Sequence, residues 1–364
     1  MAFNKYTGSE IMKKTILAAL VPALLATGAA NAAEIYKAED GSVLNMYGRV
    51  EANFVNKDDV NGDSETEGSV YARLGFNGRQ VVNENMAVIG QAQYQLSQEP
   101  GSSDTSWNAR YVWAGLDMAD AGRVEAGRVA SGLIMFTDIG DIFYAGGDVV
   151  AGANVNTVDS GAALVFRQDG TFQYRNSFGD LDFSAAYITN SSIDYGFNTA
   201  ARYNIELGDM GMLVPVAMYQ FNKADAQPKA VSSVKEYQTY GVGAQYFLGD
   251  FYAGATYVEE KFDAFAGGND KTKGTDAVVA YDFGQFVARA GYRYQDLKDA
   301  PSSDKKIQDR WTIEGQYKLT AQSSIFANYS YNNGHGQTGS ALLNGSGLTK
   351  KEGGVASVGL RYEW

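Results

Sequence analysis

The stretch from Phe136 to Asp148, FTDIGDIFYAGGD, sets three carboxylates (Asp138, Asp141 and Asp148) among aromatics, isoleucines and glycines. Glycine interrupts it too often for a buried helix or strand. Yet Phe136, Ile139, Ile142, Phe143 and Tyr144 follow directly on Ile134 and Met135, too much apolar surface for a loop in bulk water. Acids on a segment that must bury its apolar side are placed to face a basic wall. Arg49, Arg73, Arg110 and Arg167, on segments flanking the stretch, are the candidates for that wall. Unit charges ~8 Å apart interact by ~0.5 kcal/mol in water and ~2 kcal/mol at an effective dielectric of ~20. Several such pairs make a field across the gap between them.

Other chemistry has little to build on. The single histidine, His335, stands in NNGHGQTG, read as a solvated flexible loop, so a Ser-His-Asp arrangement has no rigid base. The stretch 58–68, DDVNGDSETEG, hints at a calcium loop, but position six counted from Asp59 is Ser64 rather than Gly. The absence of cysteine excludes disulfides, thiolate metal sites and cysteine nucleophiles. No glycine-rich phosphate loop leads from a strand into a helix. The chain is read as a non-enzyme that needs no cofactor and no metal. With 30 Lys plus Arg against 42 Asp plus Glu, net −12, it is no general nucleic-acid binder.

Residues 12–32, MKKTILAALVPALLATGAANA, have the form of a secretory signal peptide. Two lysines precede a short apolar run interrupted by Pro22 and Gly28, and Ala30-Asn31-Ala32 supplies a small-residue site with cleavage after Ala32. Residues 1–11 read as an upstream start extension, and 33–364 as the folded chain. Removing Lys5, Glu10, Lys13 and Lys14 with the leader takes the net charge from −12 to −14. No later apolar run reaches the ~18 residues of a membrane helix. Such a chain is a periplasmic protein, a secreted one or an outer-membrane barrel.

The elements that must position the acids and arginines are strands. LNMYGRVEANF puts Leu44, Met46, Val50, Ala52 and Phe54 on one face, with Asn45, Tyr47, Arg49, Glu51 and Asn53 on the other. SVYARLGFNG, FVARAGYRYQ and RWTIEGQYKL alternate in the same way, placing Arg73, Arg289, Arg293 and Arg310 opposite apolar residues. Arg110 is set opposite Tyr111 and Trp113, and Arg167 opposite Leu164 and Phe166. Tight turns recur around 83–85, 119–122, 179–180, 208–209, 249–250, 284–285 and 321–322. Between them fall longer polar stretches at 56–68, 97–107, 130–160, 190–197, 222–236, 259–275, 296–308 and 332–353. Seven short and eight long connections join sixteen strands. An even count with connections sorted by length predicts a sixteen-stranded antiparallel transmembrane β-barrel. A soluble sandwich would turn its polar face outward and need no such sorting. The last residues, VASVGLRYEW, end on Trp364 in strand register, as if to close the barrel beside β-forming LNMYGRV. Tyr47, Trp113, Tyr187, Tyr246, Tyr257, Trp311 and Tyr362 are candidates for interfacial aromatic girdles.

Sixteen strands enclose more space than their side chains fill, so the lumen is wet unless a segment enters it. The segment 130–160 is the longest and least polar connection. Folded against the inner wall it buries its apolar residues and turns its aspartates to the open channel, making a constriction; a surface contact or subunit interface is the alternative.

At this level the chain resembles the general diffusion porins of the enteric outer membrane, of OmpC/OmpF type. The likeness is carried by AEIYK (33–37), MYGRV (46–50), YARLGFNG (71–78), AGLDMADAG (114–122), FTD…GGD (136–148) and YRNSFG (174–179). It implies a homotrimer of barrels whose third extracellular loop folds inward, in an outer membrane carrying lipopolysaccharide. It implies passive, size-limited passage of ions and small hydrophilic solutes, with a mild cation preference. The family's constriction arginines match Arg49, Arg73, Arg110 and Arg167. One loop acid matches Asp138; the usual Pro-Glu-Phe is missing from a segment two residues longer, and Asp141 stands in for its Glu. The connection 97–107 resembles the family's latch onto a neighbouring subunit, with Glu99 as the contact and Arg128 as its partner. A terminal aromatic resembles the signal read by the outer-membrane assembly machinery, with Trp364 where Phe is usual. A substrate-specific channel, or adhesin and phage-receptor roles for the long loops, are the competing readings.

Overall fold

The computed structural model describes residues 32–58, 64–98, 106–144, 161–226, 234–298, 306–337, 348–350 and 353–364. The leader up to Asn31, Glu99 and Asp148 lie outside the described residues. The chain runs through β1 (Ala33–Lys37), β2 (Val43–Asp58), β3 (Ser64–Asn83), β4 (Met86–Gln98), β5 (Ser106–Asp117) and β6 (Arg123–Arg128). A single helical turn, α1 (Ile134–Thr137), interrupts the strands. Then come β7 (Thr171–Phe178), β8 (Leu181–Ile188), β9 (Ile193–Tyr203), β10 (Ile205–Glu206), β11 (Met212–Ala224), β12 (Val234–Leu248) and β13 (Phe251–Ala264). The rest are β14 (Asn269–Asp282), β15 (Phe286–Leu297), β16 (Lys306–Lys318), β17 (Ser323–Asn332), β18 (His335–Gln337), β19 (Leu348–Lys350) and β20 (Gly353–Glu363).

Neighbours in sequence pair antiparallel, and β20 returns to pair with β2, so the sheet closes into a barrel of sixteen strands. Closure gives each of the sixteen barrel strands a neighbour on both sides. Two short strands complete others. β10 prolongs β9 alongside β11, and β1 continues the line of β20 alongside β2. The chain ends meet at Gly48, which exchanges backbone hydrogen bonds of 2.9 and 3.0 Å with Trp364. The indole needs that glycine: a Cβ there would lie 2.6 Å from Trp364 Cζ2. Across the same seam Arg49 faces Glu363 and Glu51 faces Arg361, so two ion pairs of opposite sense fix the closing register.

The burial pattern is the inverse of a soluble protein's. Gln173, Gln220, Asn222, Thr239, Asp276 and Thr312 have no exposed surface, while Val242 is 58%, Ile313 52% and Leu360 49% exposed. Polar residues inside and an apolar band outside are what lipid requires of a spanning barrel. Tyr187, Tyr257, Trp311 and Tyr362 point outward as girdle residues do. Tyr47 and Trp113 do not: they share the inward parity of Arg49, and hydrogen-bond Gln91. Parity turns Tyr47 inward, and a register shift in β5 turns Trp113 inward.

The seven tight turns lie where the sequence places them. Two of the eight stretches read as long loops are tight as well, at 189–192 and 265–268. Most of 259–275 is ladder, from Glu259 opposite Lys273 to Asp263 opposite Asn269. Beyond the lipid a strand needs no apolar face, so alternation fades while backbone pairing continues. His335 is likewise not in an open loop: it pairs with Lys350 in the two-stranded β18–β19 ribbon.

Candidate functional site

The segment after β6 enters the barrel. Phe136 and Ile139 are fully buried, Met135 and Phe143 nearly so, in one cluster with Met218, Tyr237, Val258 and Phe262 of the inner wall. Glycine makes the seat. A Cβ on Gly241 of β12 would lie 2.7 Å from Phe136 Cζ, one on Gly243 2.7 Å from Ile139 Cδ1, and one on Gly254 of β13 2.8 Å from Ile139 Cγ2. Three inward glycines on adjacent strands thus cut a slot that the loop fills. Tyr252 Oη donates to the Ile139 carbonyl at 2.8 Å. The returning arm is held too: Asn222 and Gln220 donate to the Ala162 and Leu164 carbonyls, each at 2.9 Å.

The segment then crosses to a second wall. The Tyr144 amide donates to both oxygens of Glu314 at 3.0 and 2.9 Å, and Arg361 donates to the Tyr144 carbonyl at 2.6 Å. The Tyr144 ring lies 4.1 Å from the Arg361 guanidinium carbon and 5.5 Å from the Phe326 ring centre. Glu314 is itself enclosed, accepting from Arg289 at 3.0 Å and Asn328 at 3.3 Å. Tyr144, Glu314 and Arg361 form a clasp that reading the sequence missed. Parity had put Glu314 and Arg361 inside; nothing local linked them to a residue 170 positions away.

The acids separate. Asp141 is exposed in the lumen, within electrostatic reach of Arg293, Arg73, Arg167 and Arg49. Asp138, the C-cap of α1, is half-buried and faces Arg202 and Arg175 instead. Burial, reinforced by the Asp141 charge, pushes the Asp138 carboxyl up to about 7. A raised acid favours the folded loop while protonated, so seating is strongest below the ordinary carboxylate range and weakens as pH rises toward about 7. Channel noise should therefore grow from about pH 4 to about pH 7 and level off above it in bilayer recordings, and Asp138→Asn should flatten that dependence.

The arginines converge on the opposite wall. Arg49 and Arg73 are direct cross-strand neighbours. Arg73 Nε and Arg110 Nη1 both donate to Gln95 Oε1, at 2.9 and 2.8 Å, and Arg110 Nε donates to Gln93 at 2.8 Å. Arg110 faces inward for a reason other than alternation. Tyr111 and Trp113 face inward as well, and the β4–β5 register shifts so that Tyr111 opposes Gln93 while Ala109 opposes Tyr94. Arg110 is the extra residue of a β-bulge, which re-aims its side chain. Arg167 is on no strand: it lies in the bend before β7 with φ of 56°. Its guanidinium and that of Arg110 each stand 5.7 Å from the Tyr111 ring centre. Arg128 pairs with Asp169 at 3.2 Å. Among the described residues no group of three His, Cys, Asp or Glu side chains could hold a metal ion.

A closed sixteen-stranded barrel, apolar outside and lined with paired charges within, is an outer-membrane channel by its construction. Residues 17–337 match the family model described as Gram-negative porin, and the chain belongs to that family. It is 30% identical to the outer membrane porin protein OmpD of Citrobacter koseri, over 97% of this chain and 100% of that one. To the OmpD porin of Salmonella typhimurium it is 29% identical, with the same coverage. Among solved structures, OmpF of Salmonella typhi in complex with daunomycin superposes with a TM-score of 0.73 at 19% identity, covering 91% of this chain and all of that one. An anion-selective porin from Comamonas acidovorans gives 0.71 at 18% identity, covering 89% and 100%. The protein is thus an outer-membrane porin, and its relatives are channels rather than enzymes.

Proposed function

We propose that the protein is a general diffusion porin whose selectivity is set where Asp141 faces Arg49, Arg73 and Arg167. The observation that carries this is the exposed Asp141 carboxylate, held on a seated loop opposite guanidiniums. The transverse field orients dipolar solutes and size limits their passage, with no single tight contact required. The chain's excess of acids, 42 against 30 Lys plus Arg, makes the mouths negative. The net expectation is a mild cation preference that grows as salt is diluted, since the Debye length is ~10 Å at 0.1 M and ~30 Å at 0.01 M. Assembly as a homotrimer is part of this proposal, as is outer-leaflet lipopolysaccharide around the apolar band. Glu99 is the proposed latch contact, and Asp148 a third acid of the constriction. Trp364, in strand register at the closing seam, is the proposed signal to the assembly machinery.

Planar-bilayer recording tests the reading. Large ohmic steps in threes, indifferent to sugars, support it; small steps blocked saturably by one sugar would replace it with a substrate-specific channel. Asp141→Asn should shift the zero-current potential in a salt gradient toward anions, and Asp138→Asn should shift it less at neutral pH, because only Asp141 faces the arginine wall.

A further inference from the structure

We infer that Tyr111 is a positioning residue for the charge selectivity of the constriction: its aromatic ring holds the guanidiniums of Arg110 and Arg167 on the lumen wall without neutralising them. This rests on the porin reading and names a residue through which its selectivity is set.

Three observations converge. First, the β4–β5 register shift that makes Arg110 the extra residue of a bulge also turns Tyr111 to the lumen, opposite Gln93. In an unbroken strand one of these two neighbours would face lipid; the bulge brings both into the wall. Second, the Tyr111 ring centre stands 5.7 Å from the guanidinium carbon of Arg110 and 5.7 Å from that of Arg167. An aromatic ring attracts a cation within ~6 Å of its centre, so one side chain serves both guanidiniums. Third, Arg167 has no strand to fix its direction. It lies in a bend at a φ of 56°, a left-handed conformation retained where position matters, and its Nε is buried with no hydrogen-bond partner. Arg110, by contrast, is tied to Gln93 and Gln95 at 2.8 Å each. A carboxylate in place of Tyr111 would hold both arginines and cancel their charge. A ring attracts them through its quadrupole and leaves that charge on the wall, where Arg167 stands within electrostatic reach of Asp141.

Without the ring, Arg167 should leave the wall while Arg110 stays on its two glutamines. The test is the zero-current potential of the full protein in planar bilayers under a salt gradient, for variants that migrate as folded barrels on gels. Tyr111→Leu should raise the cation-to-anion permeability ratio about twofold, the effect of losing a unit charge ~8 Å from the ion path at ~0.1 M salt. Tyr111→Phe, which keeps the ring, should stay near the wild-type ratio. Trp113→Leu removes another lumen ring of β5, one whose indole donates to Gln91 at 3.0 Å, and should leave the ratio unchanged; this separates positioning from widening of the pore. Arg167→Gln alone, with the ring intact, should give the same rise as Tyr111→Leu, and the double variant should add nothing to it. A wild-type ratio in Tyr111→Leu or in Arg167→Gln overturns the assignment. So does a Tyr111→Phe channel that shifts as far as Tyr111→Leu, or a full further shift in the double variant. All of these leave the porin reading intact, whereas loss of ohmic conductance in the wild-type protein would fail that reading.

Discussion

Gly241→Leu should unseat the constriction loop and open the channel. The added side chain must occupy the space of Phe136, whose Cζ stands 2.7 Å from the position of a Cβ, with Met218 Cε at 2.9 Å. Both are side-chain ends, so the barrel ladder itself is not in the way, whereas a Cβ on Gly243 would also meet the Ala255 carbonyl at 2.8 Å. Overpacking costs about 1–3 kcal/mol, which shifts a seated–unseated equilibrium by about 5- to 150-fold. Single-channel conductance should rise and become noisy, and the potential in a salt gradient should approach zero as Asp141 leaves the arginine wall. Phe136→Ala reaches the same end by removing the anchor, at about 3–5 kcal/mol for a fully buried aromatic. The chain lacks cysteine, so a single Met135→Cys reporter, buried while the loop is seated, reads loop exposure by thiol labelling. Unchanged conductance in both variants, in barrels that still migrate as folded on gels, would mean the loop is held elsewhere.

The second large effect belongs to Glu314. Its side chain is fully enclosed and serves the Tyr144 amide, Arg289 and Asn328 at once. Removing one member of a buried ion pair costs about 3–5 kcal/mol, chiefly because the remaining charge is stranded. In Glu314→Leu, Arg289 loses its carboxylate and the Tyr144 amide its acceptor, so the tip of the loop is released while Phe136 and Ile139 stay seated. Gly241→Leu should then give wide, weakly selective pores. Glu314→Leu should instead give pores that flicker between two conductances, because one end of the loop remains fixed. Glu314→Gln, which retains one acceptor and loses the charge, should fall between wild type and Glu314→Leu. Steady wild-type currents from Glu314→Leu would show that the clasp does not restrain the loop.

The strand content was legible because a barrel in lipid writes a period of two directly into its spanning segments. Leu44, Val50 and Phe54 must meet lipid, and Arg49, Glu51 and Asn53 the wet interior. The same rule failed where lipid stops. The ladder from Glu259 to Asp263 is polar on its outer face, with Glu259, Lys261 and Asp263, so backbone pairing left no lipid-facing apolar residue to mark it. It also failed at defects in the ladder: Arg110 came out inward through a bulge that alternation cannot encode, and Arg167 through a bend that is not a strand at all.

By itself the sequence determined the number of strands, the lipid and lumen faces, and which loop was too apolar for water. It did not separate Asp138 from Asp141: three residues apart on a short helical turn and its extension, they face different walls because the barrel curves around them. Nor did it reveal that Gly241, Gly243 and Gly254 carve the loop's seat, or that Tyr144 is clasped by Glu314 and Arg361. Local periodicity follows from the solvent on each side of a strand and is written residue by residue. A constriction is made by groups distant in sequence that closure of the barrel brings together, and only the tertiary structure decides which of them meet.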